Sequence, residues 1–191
     1  FAVVSLLLST SLFERGITRK LAIENCLIAE SIDTVLAQRT DVTLYGERIK
    51  LIYDNIPEDI KKDPYSEDYR TYFDDVENEE DYHYVESTLK GFRDTGIVRD
   101  IYIMTYDRET GNGIYIVDPD DSDNKCYIGE YEMLYDYNFD GYYNSTSIEP
   151  FETFYDSNGD SVMTTGVALS GSSNVKCVLL MDIPIQDIRI S

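Results

Sequence analysis

Val175-Lys176-Cys177-Val178-Leu179-Leu180-Met181-Asp182-Ile183 is the stretch on which the fold turns. From Cys177 onward it is apolar at every position but Asp182, with no alternation of inward and outward residues. A strand apolar on both faces belongs in the interior of a sheet, because at an edge its unpaired backbone would recruit other chains. The last strand in the chain is therefore expected at the centre of its sheet, with partners drawn from earlier segments.

Those partners lie upstream. Gly171-Ser172-Ser173-Asn174 turns the chain back onto Ser161–Ser170, which forms a hairpin with Phe151–Tyr155 across Asp156-Ser157-Asn158-Gly159-Asp160. Ile97–Tyr106 has the period of two of a half-buried strand, and Gly111-Asn112-Gly113 turns it into Ile114-Tyr115-Ile116-Val117. The expectation is an α+β domain with a five-stranded antiparallel sheet. Between the two hairpins run an acidic loop, Asp118-Pro119-Asp120-Asp121-Ser122-Asp123-Asn124, and a tyrosine-rich segment, Cys126–Tyr143.

The first half reads as helix. Ile17, Leu21, Ile28, Ile32, Val35 and Val42 recur at spacings of three, four and seven. Within this set Leu21, Ile28, Val35 and Val42 keep the seven-residue step of a seam between two helices. A helix from about Gly16 to Tyr45 would be a rod of about 45 Å, and its seam predicts a parallel homodimer. Glu47–Asn55 reads as a short helix, and Pro64–Phe73 as a loop or broken helix. Asn78–Phe92 reads as a helix with Tyr82, Val85, Leu89 and Phe92 on one face, ended by Gly96.

Phe1–Phe13 carries no charge and begins without a methionine. Thirteen apolar residues do not cross a bilayer, which takes about 20, but they can be the outer end of a longer span. The division expected is 1–13 as the end of a transmembrane helix, 14–45 as a long juxtamembrane helix, and 46–191 as one domain anchored outside the cytoplasm. A buried core helix or the tail of a signal peptide are the plainer readings.

Composition narrows the partners. The 191 residues include 37 acidic and 16 basic side chains, a formal charge of -21. Such a surface repels phosphate backbones, so nucleic acid is excluded as a partner. Hydrophobic content of 42% suffices for a core. Three cysteines, Cys26, Cys126 and Cys177, have no metal-type spacing; a Cys126–Cys177 disulfide and three free, buried thiols are both open.

The order of elements resembles the extracytoplasmic PAS-like sensor domains known as Cache or PDC domains. Three features carry the resemblance: the long juxtamembrane helix, the hairpin Ile97–Val117, and the closing pattern Phe151–Ile188. In that pattern Gly159-Asp160-Ser161-Val162-Met163-Thr164-Thr165-Gly166-Val167 and Val178–Ile188 look like the family's last three strands and exit helix. The resemblance implies a sensory input domain of a histidine kinase, chemoreceptor or diguanylate cyclase, binding a small molecule and signalling through the membrane. Family members that bind amino acids carry an Arg with a nearby Trp and Tyr. This chain has no Trp, and no Arg between Arg108 and Arg189. A neutral or cationic organic ligand is therefore expected, with Arg93, Arg99 or Lys125 as the cations to recruit for an anion.

Most of the seventeen tyrosines are expected to fill half-exposed strand positions, and one cluster of them suits aromatic walls for such a ligand. Tyr127, Tyr131 and Tyr135 recur every four residues in the segment that resembles the family's pocket cover. With Tyr115, Tyr142 and Asp182 they make the expected ligand-binding set; the alternative role for the rings is an apolar lid on the sheet.

No catalytic residue, cofactor or resident metal is expected. The single histidine, His83, lies far from any nucleophile signature, and there is no G-x-S-x-G or phosphate loop. Asp136-Tyr137-Asn138-Phe139-Asp140-Gly141 matches the first half of a calcium loop, yet its twelfth position is Ser147. With Asp118, Asp120 and Asp123 it keeps a calcium-dependent adhesion module open as the rival function. A surface hydrolase is the third.

Overall fold

A computed structural model describes residues 2–134, 152–155 and 161–184. The helices come first: α1 Ala2–Leu36, α2 Val42–Asn55, α3 Glu58–Lys61, α4 Glu67–Arg70, a 3-10 turn Thr71–Phe73, α5 Asp74–Glu77 and α6 Glu80–Arg93. Strands follow: β1 Asp100–Asp107, β2 Asn112–Val117, β3 Tyr131–Met133, β4 Glu152–Tyr155, β5 Ser161–Ala168 and β6 Cys177–Pro184. The class is α+β, with the helices laid on one face of an antiparallel sheet.

Strand order among the described residues is β3-β2-β1-β6-β5-β4. The apolar last strand sits at the centre as expected, with Ile101 opposite Met181 on one side and Thr165 opposite Met181 on the other. All five expected strands are present. The sixth, β3, is three residues from the tyrosine-rich segment added to the edge beside β2. Its single alternation is too short to register as a period of two.

One boundary differs from expectation. The helix predicted to reach Tyr45 stops at Leu36, and a new helix begins at Val42. Asp41 caps α2, accepting a hydrogen bond from the Thr43 amide at 3.0 Å. Val42 therefore belongs to another helix and is buried in the core. The fourth member of the seven-residue series is thus not part of a seam; the step from Val35 to Val42 spans a turn. The residues of α1 that face the sheet are Ala22, Asn25, Cys26, Ala29, Ile32 and Leu36, while Leu21 and Ile28 are half-buried at its flank.

Between the helices and the sheet lies the main core. Ile32, Leu36, Ile49, Tyr53, Tyr69, Phe73, Tyr82, Val85 and Leu89 pack against Ile101, Ile103, Ile114, Ile116, Leu179 and Met181. The predicted face of α6 is the buried one, and Pro64–Phe73 is the broken helix of α4 and its 3-10 turn. A second cluster, Tyr102, Met104, Leu134, Val178 and Leu180, covers the outer face, away from the helices. That division follows from the period of two in each strand.

α1 runs alongside β5 and opposite to β6. Its Ala22 packs with Met163 and Ile183, whereas Asp33 and Asp41 accept hydrogen bonds from Ser170 and Ser172 in the β5–β6 turn. No helix among the described residues is long and apolar enough to cross a membrane.

Candidate functional site on the outer face of the sheet

Asp182 is the one charged residue within β6. Its neighbours Met181 and Ile183 face the helix layer, so the pleat turns Asp182 outward. Asp100 of β1 and Thr164 of β5 lie directly across from it. It is only 6% exposed, and the Thr164 hydroxyl donates to its Oδ1 at 2.6 Å. Burial pushes the carboxyl up to about 7 against the pull of that hydrogen bond. Asp100 pushes the same way; Arg99, whose Nε donates to Asp100 at 2.8 Å, pulls it back. A buried carboxyl poised near neutrality is an acceptor for a cation or for a neutral donor.

Further along the same face lie Leu180, Tyr102 and Tyr115, with the two tyrosine rings 5.7 Å apart. The Tyr115 hydroxyl donates to Glu132 on β3 at 2.8 Å. Burial, with Glu132 beside it, raises the phenol well above its ordinary value, so it stays a neutral donor. Asp182 and Tyr115 thus lie on the same face of the sheet, Asp182 across from Asp100 and Tyr115 across from Met104, four positions further along β1.

Tyr127 and Tyr131 do not join them. Tyr131 faces the helix layer with Ile114, its cross-strand partner. Its ring meets that of Tyr53 edge-on at 5.4 Å, and its hydroxyl donates to the Lys61 carbonyl at 2.7 Å. The Arg70 guanidinium stacks on the Tyr127 ring at 3.5 Å while its Nη2 donates to the buried Glu130 at 3.1 Å. These two rings fasten the helices to the sheet edge. Tyr135 and Tyr142 lie outside the described residues, as does the partial calcium loop Asp136–Gly141.

The acidic loop is occupied by its own surroundings. Asp118 accepts from the amides of Asp120 and Cys126 at 2.9 and 2.8 Å, Asp120 pairs with Arg93 at 3.1 Å, and Asp121 pairs with Lys90. Lys125 holds Glu86 at 2.6 Å. The loop is strapped to α6 by turn chemistry and ion pairs, and no cluster able to hold a metal occurs among the described residues. Of the cations proposed for an anion, Arg93 and Lys125 serve this strap, and only Arg99 stands near Asp182. All three cysteines are free; Cys26 and Cys177 are buried and Cys126 is half-buried. A separate groove of about 510 Å³, lined by Lys50, Tyr106, Arg108 and Lys176 among others, lies at the opposite end of β1 from Asp100.

Thr164, Tyr102 and Asp100 escaped the sequence reading. The signal for them was the register: once β6 is placed between β1 and β5, the residues beside Asp182 follow from strand alternation.

No family profile matches the sequence, and no curated protein does. Solved structures that match include the ligand-binding domain of the Campylobacter jejuni chemoreceptor Tlp3 in complex with L-valine. That likeness has 17% identity and a TM-score of 0.37, over 94% of this chain and 64% of that one. The same domain in complex with 4-methylisoleucine matches at 16% identity and a TM-score of 0.36, over 90% and 62%. The present chain therefore spans less than two thirds of those chains. At such identities and TM-scores the likeness assigns no residue here a role.

Proposed function

We propose that this chain is the extracytoplasmic ligand-sensing domain of a membrane signal-transduction protein, of the histidine kinase, chemoreceptor or diguanylate cyclase type. Its ligand is a small neutral or cationic organic molecule held on the outer face of the sheet at Asp182 and Tyr115. The observation that carries this reading is the buried, near-neutral Asp182 close to the end of the central strand, whose other face bears α1. A ligand that shifts β6 acts on α1 directly, and α1 is the element that would continue toward the membrane through residues 1–13. Signalling then requires different affinities for two arrangements of α1. The resemblance to Cache domains supports the same reading. The calcium-dependent alternative loses the support of Asp118 and Asp120, whose oxygens are engaged within the loop.

A thermal-shift screen of primary amines, amino acids, neutral polyols and dicarboxylates tests the ligand class. Amines or neutral compounds should raise the melting temperature of the wild-type chain and not of Asp182→Asn. Stabilisation by dicarboxylates alone contradicts it.

Pairing of two copies through α1 belongs to the same proposal, with the contact moved to its exposed face. Leu27 and Val35 are 51% and 36% exposed there. Cysteine substitution at Leu27 should cross-link in the membrane-bound protein more readily than at Ile28, which packs on the core; the reverse order would exclude this face.

A further inference from the structure

The contact between α1 and the sheet is uneven along its length. At its later end it is anchored by Ile32 and Leu36, and by Asp33 gripping Ser170 in the β5–β6 turn, with Asp41, the cap of α2, holding Ser172 beside it. Earlier it is made by Ala22, Asn25, Cys26 and Ala29, three small residues and an amide. Asn25 is 3% exposed, and its Nδ2 has no hydrogen-bond partner among the described residues. A buried donor without a partner costs on the order of 1–3 kcal/mol. The strands under this part of the helix present Met163, Thr165, Met181 and Ile183 inward. Among them Thr165, 1% exposed, offers a hydroxyl whose own bond to the Met181 carbonyl is long, at 3.4 Å.

We propose that α1 has two seats on the sheet and that Asn25 sets the balance between them. In the seat described, the small side chains let the helix lie close while the Asn25 amide is unsatisfied. In the other, a small shift of this half of α1, pivoting on the Ile32–Leu36 anchor, brings the amide to the Thr165 hydroxyl. The favourable packing of the first seat and the recovered hydrogen bond of the second offset one another, which keeps both populated. Small residues at 22, 26 and 29 permit the shift because they fill no deep hole in the sheet. The device is a property of α1 and holds whether or not the outer face takes a ligand. If it does, a ligand at Asp182 lies back to back with this contact, since Met181 and Ile183, and Met163 and Thr165 beside its cross-strand partner Thr164, are the immediate neighbours in the strands.

Cys26, 4% exposed in the same stripe, is a native probe of the shift. The rate of its alkylation by iodoacetamide in the intact chain, resolved from Cys126 and Cys177 by peptide mass spectrometry, reports how often this half of α1 leaves the described seat. Asn25→Leu removes the amide and should slow alkylation of Cys26 about fivefold to tenfold. Thr165→Val removes the acceptor and should slow it comparably, and the double variant should be no slower than Asn25→Leu alone. Asn25→Ala guards against a leucine too large for the site; slowing in either Asn25 variant together with slowing in Thr165→Val upholds the proposal, and an unchanged rate in Thr165→Val overturns it. If both Asn25 variants label as fast as wild type or faster, Asn25 is an ordinary packing residue and the two-seat account is overturned. Ligand binding at Asp182 enters none of these readouts, so their failure leaves the proposed function standing.

Discussion

Asp182 is costly where it sits, and the cost has a pH signature. Between the ordinary carboxyl value of 3.8 and about 7, the unfolded chain has released this proton while the folded chain keeps it. Its contribution is therefore full at low pH and is lost as pH rises through that window. Asp182→Asn keeps an acceptor for Thr164 and cannot ionise. It should be more stable than wild type at pH 8 by up to about 4 kcal/mol and indistinguishable near pH 4, measured by urea denaturation. A variant that is less stable at both pH values would mean that the carboxylate is held charged by Arg99 after all. Tyr131 makes the opposite kind of prediction. Its ring and hydroxyl tie β3 to Tyr53 and Lys61, so Tyr131→Ala should cost about 2–3 kcal/mol while leaving ligand-induced stabilisation intact. Loss of ligand response without loss of stability would return Tyr131 to the site. The four-residue spacing of Tyr127, Tyr131 and Tyr135 suggested a shared surface. Spacing alone says nothing of which face a three-residue edge strand turns outward, and that information lies in the pairing of Tyr131 with Ile114.

At the scale of elements, the joint between α1 and α2 holds the helix layer to the sheet. Asp41 caps α2 and also accepts from the amide and hydroxyl of Ser172 at 2.7 Å. Gly171 passes so close to Thr43 and Asp41 that a Cβ there would overlap both side chains. Gly171→Ala should therefore cost about 2 kcal/mol by forcing the turn away from the cap. A neutral substitution would show that the turn yields freely. This joint was illegible in the sequence because Val35 and Val42 preserve the apolar rhythm across it, and only Asp41 marked the start of a new helix. By contrast, β6 and the hairpins β1–β2 and β4–β5 were legible. Their signals are local: an uninterrupted apolar run, alternation, and glycine or asparagine turns. α6 was legible for the same reason, its four apolar residues falling on one face. The partners of Asp182 were not, since they come from strands 18 and 82 residues distant and depend on register.

The whole molecule places a long helix on the inner face of a sheet and a buried carboxyl on the outer face, joined by one central strand. A surface of net charge -21 concentrates cations around it, and in the proposed site the buried Asp182 is the residue that would distinguish a cationic ligand from an anionic one. A cation paired with Asp182 binds the ionised form, so binding must compete with the proton. The most direct measurement is the affinity of the best primary amine from the screen, titrated calorimetrically between about pH 6 and pH 8 with wild type and Asp182→Asn. The account predicts that affinity weakens toward about tenfold per pH unit below 7, with proton release on binding, and that Asp182→Asn abolishes binding. An affinity that is flat across this range, or an Asp182→Asn variant that binds as wild type does, would contradict it.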